Sequence, residues 1–157
     1  MGQRRRAREC ALQILFQLEF NSGDPAAVAA AYWTHQKVGP DTITYAEWLV
    51  AQVHAHQTEV DELIQAASEN WRLARMAVVE RNILRIAVAE LLYEPSLVPA
   101  IVIDEAIEVA KRFSGEEAAV FVNGVLDAVH GRLAGRSTPR PKKEKSHERK
   151  RAPRVRA

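Results

Sequence analysis

Between Arg75 and Tyr93 the chain reads as a helix that is apolar around most of its circumference, carrying Met76, Val79, Ile83, Leu84, Ile86, Ala87, Val88 and Leu91. Such a helix has no face to give to water, so it must lie in the middle of a bundle and other helices must surround it. The rest of the sequence supplies them. Alanine is abundant, and only 7 Gly and 7 Pro are spread over 157 residues, which favours helix over strand.

Ala7, Cys10, Ala11, Ile14, Leu15 and Leu18 form one stripe at 3.6 spacing, predicting a first helix from about Arg4 to Phe20. Asp24-Pro25 reads as an N-cap followed by proline at the first helical position, opening an alanine-rich helix to about His35. After the Gly39-Pro40 loop, a third helix runs from about Thr42 to Gln57. A short fourth helix with Val60, Leu63, Ile64 and Ala67 stops near Asn70. Asn70-Trp71-Arg72 reads as a junction to a second group of helices. Pro99 opens the helix that ends at Lys111-Arg112, and Ser114 with Glu117 has the spacing of a capping box for a last helix to about Leu133. The expected fold is all-α, with about seven helices in two small three-helix bundles, residues 1–70 and 71–134. Residues 135–157 hold three prolines, no aromatic residue and a single Val, and read as a disordered basic tail.

With 47% hydrophobic and 27% charged residues, the chain has the makings of one functional unit. No run approaches the roughly 18 apolar residues of a membrane span, and no secretory signal is legible. The single cysteine, Cys10, falls on the core stripe and has no partner for a disulfide. A cytoplasmic protein is expected. Catalytic motifs are missing: there is no Walker loop, glycine-rich dinucleotide turn, Gly-x-Ser-x-Gly or Cys-x-x-Cys. His54 and His56, two residues apart on a helix, diverge and make a poor chelate, so neither a metal nor a cofactor is expected. Asp104, Glu105 and Glu108 read as a solvated acidic face.

The formal charge of +2 hides a segregation. Arg4, Arg5, Arg6 and Arg8 crowd one end, and ten Lys or Arg lie between Arg136 and Arg156, whereas the interval from Glu9 to Arg132 holds eight basic against 18 acidic residues. Basic ends on an acidic body suit a polyanion held at the termini. At 100° per residue, Arg5, Glu9, Leu12, Gln13 and Phe16 project from the first helix opposite its core stripe. There Phe16 can stack an unpaired base, Gln13 can bond a base edge and the arginines can hold phosphates; packing of Phe16 and Leu12 on the other bundle is the competing reading. In the last helix Gly124, which costs about 1 kcal/mol against alanine, points to close helix packing, with a ligand approaching there as the other reading.

Four ordered blocks carry a resemblance to a known family. They are Arg4-Arg5-Arg6-Ala7-Arg8-Glu9-Cys10-Ala11-Leu12-Gln13 with Leu15-Phe16, Glu80-Arg81-Asn82-Ile83-Leu84-Arg85-Ile86-Ala87 with Glu90-Leu91, Ile103-Asp104-Glu105-Ala106-Ile107-Glu108-Val109-Ala110-Lys111, and Phe121-Val122-Asn123-Gly124-Val125-Leu126-Asp127. In these the chain resembles the NusB family of transcription antitermination factors over nearly all of residues 4–130.

The resemblance implies two three-helix bundles at a steep angle and a heterodimer with the ribosomal protein NusE that binds the boxA element of nascent RNA in the elongation complex, notably in ribosomal RNA operons. It also implies RNA contacts at Arg4, Arg5, Arg6, Arg8, Gln13 and Phe16, further contacts near Glu117 and Phe121, and a NusE surface at Glu80 and Arg81. It leaves open a homodimer when the partner is absent. Two positions depart from the pattern: Phe16 stands where tyrosine is frequent, and Asp104 stands in the usual Ile-Asn-Glu-Ala. The same fold also occurs as a domain of RNA cytosine methyltransferases, but no methyl-donor domain is legible here, and a helical protein adaptor without RNA recognition is the alternative function.

Overall fold

The computed structural model describes residues 2–137. The expected basic tail therefore lies outside the described residues from position 138 onward. Within them the elements are α1 (Gly2–Phe20), α2 (Pro25–Trp33), α3 (Pro40–Ala55), α4 (Gln57–Ala67), a 3-10 turn (Leu73–Arg75), α5 (Val78–Tyr93), α6 (Pro99–Phe113) and α7 (Glu116–Ser137), and no strand is among them.

Proline starts three of these helices, α2, α3 and α6, where its missing N–H would have had no partner and its fixed φ fits the first turn. Asp24 stands at the N-cap of α2 through its backbone, its carbonyl accepting from Val28 N at 3.0 Å, while its side chain makes no capping bond. The capping box expected at Ser114 does not form. Ser114 instead closes α6, its N–H and that of Gly115 both donating to Ala110 O, at 2.8 and 3.0 Å, and Gly115 O accepts the first bond of α7 from Ala119. Gly115 makes this corner with φ of +108°, a conformation that side chains disfavour, and a Cβ built there would meet nothing within 4 Å. α7 runs on through Gly135, Arg136 and Ser137, three residues assigned beforehand to the tail.

α5 occupies the middle, as its composition requires: every residue from Asn82 to Glu90 is buried, and α1, α3, α4, α6 and α7 pack around it. α1 packs on α2 and α3 on one side and on α5 and α6 on the other. α4 lies mainly against α5 and α7, so the junction expected near residue 70 follows a helix that already belongs with the second group. The buried apolar residues of both groups make one continuous cluster, from Ala7 and Ile14 through Leu49, Ile64 and Leu84 to Leu126 and Val129. Gly124 does not mark close packing. A Cβ there would meet nothing within 4 Å, because the residue faces out of the bundle.

Candidate nucleic-acid interface

The position of α1 decides what its arginines can do. Because α5 and α6 cover part of the side opposite the core stripe, Glu9 and Leu12, expected to project outward, are buried. Arg8 departs furthest from its expected place on an RNA-facing surface. Its side chain is 6% exposed, its Nε donates to both Glu90 oxygens at 3.0 Å, and a second nitrogen lies 3.0 Å from Glu90 Oε2 and a third 3.6 Å from Glu105. Tyr45 donates its hydroxyl to the same Glu90, which raises the Tyr45 pKa above its ordinary value through burial first and the adjacent carboxylate second. Arg8 therefore belongs to an interior ion pair with Glu90.

Arg4, Arg5 and Arg6 stand at the surface, with side chains 45%, 38% and 37% exposed. Arg5 is bidentate to Glu105, 2.9 Å for each bond, a geometry that fixes the guanidinium plane. Those hydrogen bonds, against the opposing effect of burial, hold the Glu105 carboxyl below the usual carboxylate range. Glu105 thus leaves the solvated acidic face expected for it, while Asp104 and Glu108 remain exposed. Arg6 donates to Gln36 at 2.9 Å and sits 3.6 Å from Glu9. Arg4 lies over the Tyr45 ring at 3.8 Å from its centroid and 4.0 Å from Glu94. Each surface arginine is thus oriented by an internal partner and keeps an outward edge.

Further along α1, Gln13 is half-buried and accepts a hydrogen bond from Tyr32. Phe16 is 40% exposed and pairs with Phe20, one turn on, at 5.1 Å between ring centroids. On α7, Glu117 is exposed and the half-buried Phe121 meets Trp71 edge to face at 6.2 Å. On α5, Glu80 is half-buried in the first turn. Its neighbour Arg81 is committed within the chain, donating to Glu19 at 3.0 Å and to the carbonyls of Leu73, Ala74 and Met76 at 3.3 to 3.5 Å. Burial opposes ionisation of Glu19, but Asn82, Arg81 and Arg85 outweigh it and its pKa falls below the ordinary value. His56 stacks on Tyr93 at 4.2 Å, whereas His54 lines the space beside Leu15, Gly23 and Arg85.

The sequence-based reading missed Glu90 and Tyr45, the partners that take Arg8 inside. A carboxylate in an unbroken buried stretch was the available signal, since Glu90 lies in an apolar helix and such a charge needs a cation.

The NusB family model matches residues 5–131. The transcription antitermination protein NusB of Myxococcus xanthus is 43% identical over 133 residues, covering 82% of this chain and 95% of that protein. The protein of the same name from Sorangium cellulosum is 44% identical over 129 residues, with 82% and 92% covered. Among solved structures, a crystal structure of antitermination factors NusB and NusE in complex with dsRNA matches with a TM-score of 0.76 at 30% identity, covering 83% of this chain and 98% of that one. The solution structure of NusB from Aquifex aeolicus matches with a TM-score of 0.77 at 30% identity, covering 89% and 95%.

Proposed function

The chain belongs to the NusB family, and from that premise we propose that it is a transcription antitermination factor that binds boxA-type RNA as a heterodimer with the ribosomal protein NusE. The observation that carries the reading is the likeness, over 83% of this chain and 98% of the other, to a chain of the crystal structure of NusB and NusE in complex with dsRNA. The surface of this chain has the matching chemistry. Arg4, Arg5 and Arg6 present oriented guanidinium edges at one end of α1, Gln13 and Phe16 follow along that helix, and Phe121 with Glu117 adds a further aromatic and polar edge from α7. Phosphates are held by the arginines and unpaired bases by the rings, with no reaction chemistry required. Arg8 pairs with Glu90 beneath this surface and is not among the proposed contacts. Glu80, half-buried on α5, supplies the proposed contact to NusE. The basic residues beyond 137 add sequence-independent attraction to RNA.

The test is a titration of boxA-like RNA against this protein alone and with NusE, beside a scrambled RNA. Tighter, sequence-selective binding in the presence of NusE is expected. Equal binding of both RNAs with and without NusE refutes the proposal and favours a helical adaptor.

A further inference from the structure

We infer that Trp71, flanked by Arg72 and Arg75, is a docking site for one unpaired nucleotide of the bound RNA, adjoining Phe121 at the edge of the surface described above; the inference rests on the RNA-binding reading. Trp71 is 57% exposed although its ring is the largest side chain available. An indole left to water in this way wastes apolar area unless something covers it.

The backbone that carries the ring is also tied down. Gln65 Nε2 donates to Trp71 O at 2.9 Å, Gln65 Oε1 accepts from Leu73 N at 2.8 Å, and Trp71 N donates to Ser68 O at 3.2 Å. The next residues are clamped by Arg81, whose guanidinium bridges the carbonyls of Leu73, Ala74 and Met76 to Glu19 of α1. Phe121 sets the direction of the indole by its edge-to-face contact. The loop is thereby tied to α4, α5, α7 and the Phe16 end of α1, and a ring prepared like this loses little freedom when a base stacks on it.

Charge gives a second, independent pointer. On the acidic stretch from Glu9 to Arg132, Arg81, Arg85, Lys111 and Arg112 are paired with carboxylates, and Arg132 donates to Ala66 O. Arg72 and Arg75 are exposed and make no ion pair or side-chain hydrogen bond among the described residues. Two unneutralised guanidiniums within four residues of an exposed aromatic ring match an unpaired nucleotide, whose base takes the π face and whose phosphates take the cations. Of the remaining cations on that stretch, only Lys37 also lacks such a partner among the described residues, and it lies on the far side of α2 in sequence.

The experiment uses the full chain with NusE and a single-stranded boxA-like RNA, together with copies of that RNA made abasic at one position at a time. Trp71→Leu keeps apolar bulk against Phe121 and removes the π face; Trp71→Phe keeps a stacking ring. Trp71→Leu is expected to weaken binding about 5- to 150-fold while Trp71→Phe stays near wild type, from the ordinary strength of base–aromatic stacking. One abasic RNA should bind the wild type and Trp71→Leu equally weakly, a non-additivity that a merely structural role for Trp71 would not produce. Arg72→Gln with Arg75→Gln should lower affinity for all RNAs and reduce the salt slope by about 1.4, from two phosphate contacts to a single strand. Wild-type binding with no loss in Trp71→Leu overturns this site and leaves the RNA-binding reading standing. Failure of the wild type to bind RNA with NusE overturns that reading itself. Loss of NusE affinity in Trp71→Leu, measured without RNA, assigns the ring to the protein partner and also overturns the inference.

Discussion

Replacing Glu90 by leucine should be far more damaging than its single carboxylate suggests. The side chain is 1% exposed and accepts from Arg8, 5% exposed, and from Tyr45. Glu90→Leu leaves the Arg8 guanidinium inside the bundle with only the 3.6 Å contact to Glu105, which Arg5 already engages in two bonds. Breaking one side of a buried pair costs about 3 to 5 kcal/mol. For a chain of this size, about 3 °C of melting temperature accompanies each kcal/mol, so a fall of about 9 to 15 °C is expected in thermal unfolding followed by circular dichroism. The double variant Arg8→Met/Glu90→Leu removes both charges and fills the space with apolar atoms. It strands only the Tyr45 hydroxyl, a loss of about 1 to 3 kcal/mol, and should therefore melt higher than Glu90→Leu alone. At temperatures where it is folded, its RNA affinity should stay near wild type, because the Arg8 side chain is buried and engaged by Glu90. A Glu90→Leu cost below about 1 kcal/mol, or a double variant whose loss is the sum of the two single losses, would refute the buried-pair account.

Phe16→Ala should cost about 1 to 3 kcal/mol of RNA binding and less than the 3 to 5 kcal/mol of stability that truncating a core phenylalanine costs, since the ring is 40% exposed; titration and thermal unfolding on the same variant separate the two. Glu80→Arg should weaken NusE binding in a pull-down or calorimetric titration with helicity retained, losing about 0.3 to 1 kcal/mol of stability because it also reverses a charge in the first turn of α5. Denaturant unfolding across pH should show an acid limb from Glu105 and Glu19, whose folded pKa values lie below the ordinary value of 4.5. In that case the unfolded chain takes up protons first, so the stabilisation is complete above about pH 5 and is lost as pH falls through the folded values. Glu105→Gln should flatten that limb, and an unchanged acid profile would contradict the role of the Arg5 pair.

The helices were legible because their signals are local. Proline at positions 25 and 99 marks two starts, and the largely apolar circumference of residues 75–93 places α5 at the centre, whereas Pro40, read as part of a loop, opens α3 two residues ahead of the expected Thr42. The fate of the outer face of α1 was not legible. Periodicity separates the core stripe of one helix from its reverse side, but it carries no information about which later helix will lie across that reverse side, and Arg112 of α6 meets Glu9 from 103 residues away in the chain. For the same reason the four arginines of one short run look alike in sequence, yet Arg8 meets Glu90, 82 residues on, and turns inward while its neighbours keep an exposed edge. The capping box at Ser114 failed for a different cause: the bonds that end α6 use the residues that the pattern reserved for α7, and the cap passes to Gly115.

That glycine separates two constraints that usually travel together, handedness and space. Its φ of +108° penalises every L side chain, while the room around its α-carbon would accept a methyl group without contact. The objection of the corner is therefore to chirality alone. A D-alanine placed at 115 by chemical ligation has the mirror preference and narrows the unfolded ensemble, which is worth about 0.4 to 1 kcal/mol by the measure of glycine replacements at compatible sites. L-alanine at the same place should lose stability. Because Glu117 and Phe121 follow within two turns of this corner, the choice of enantiomer at a single α-carbon sets how firmly the start of α7 holds its pitch against α6.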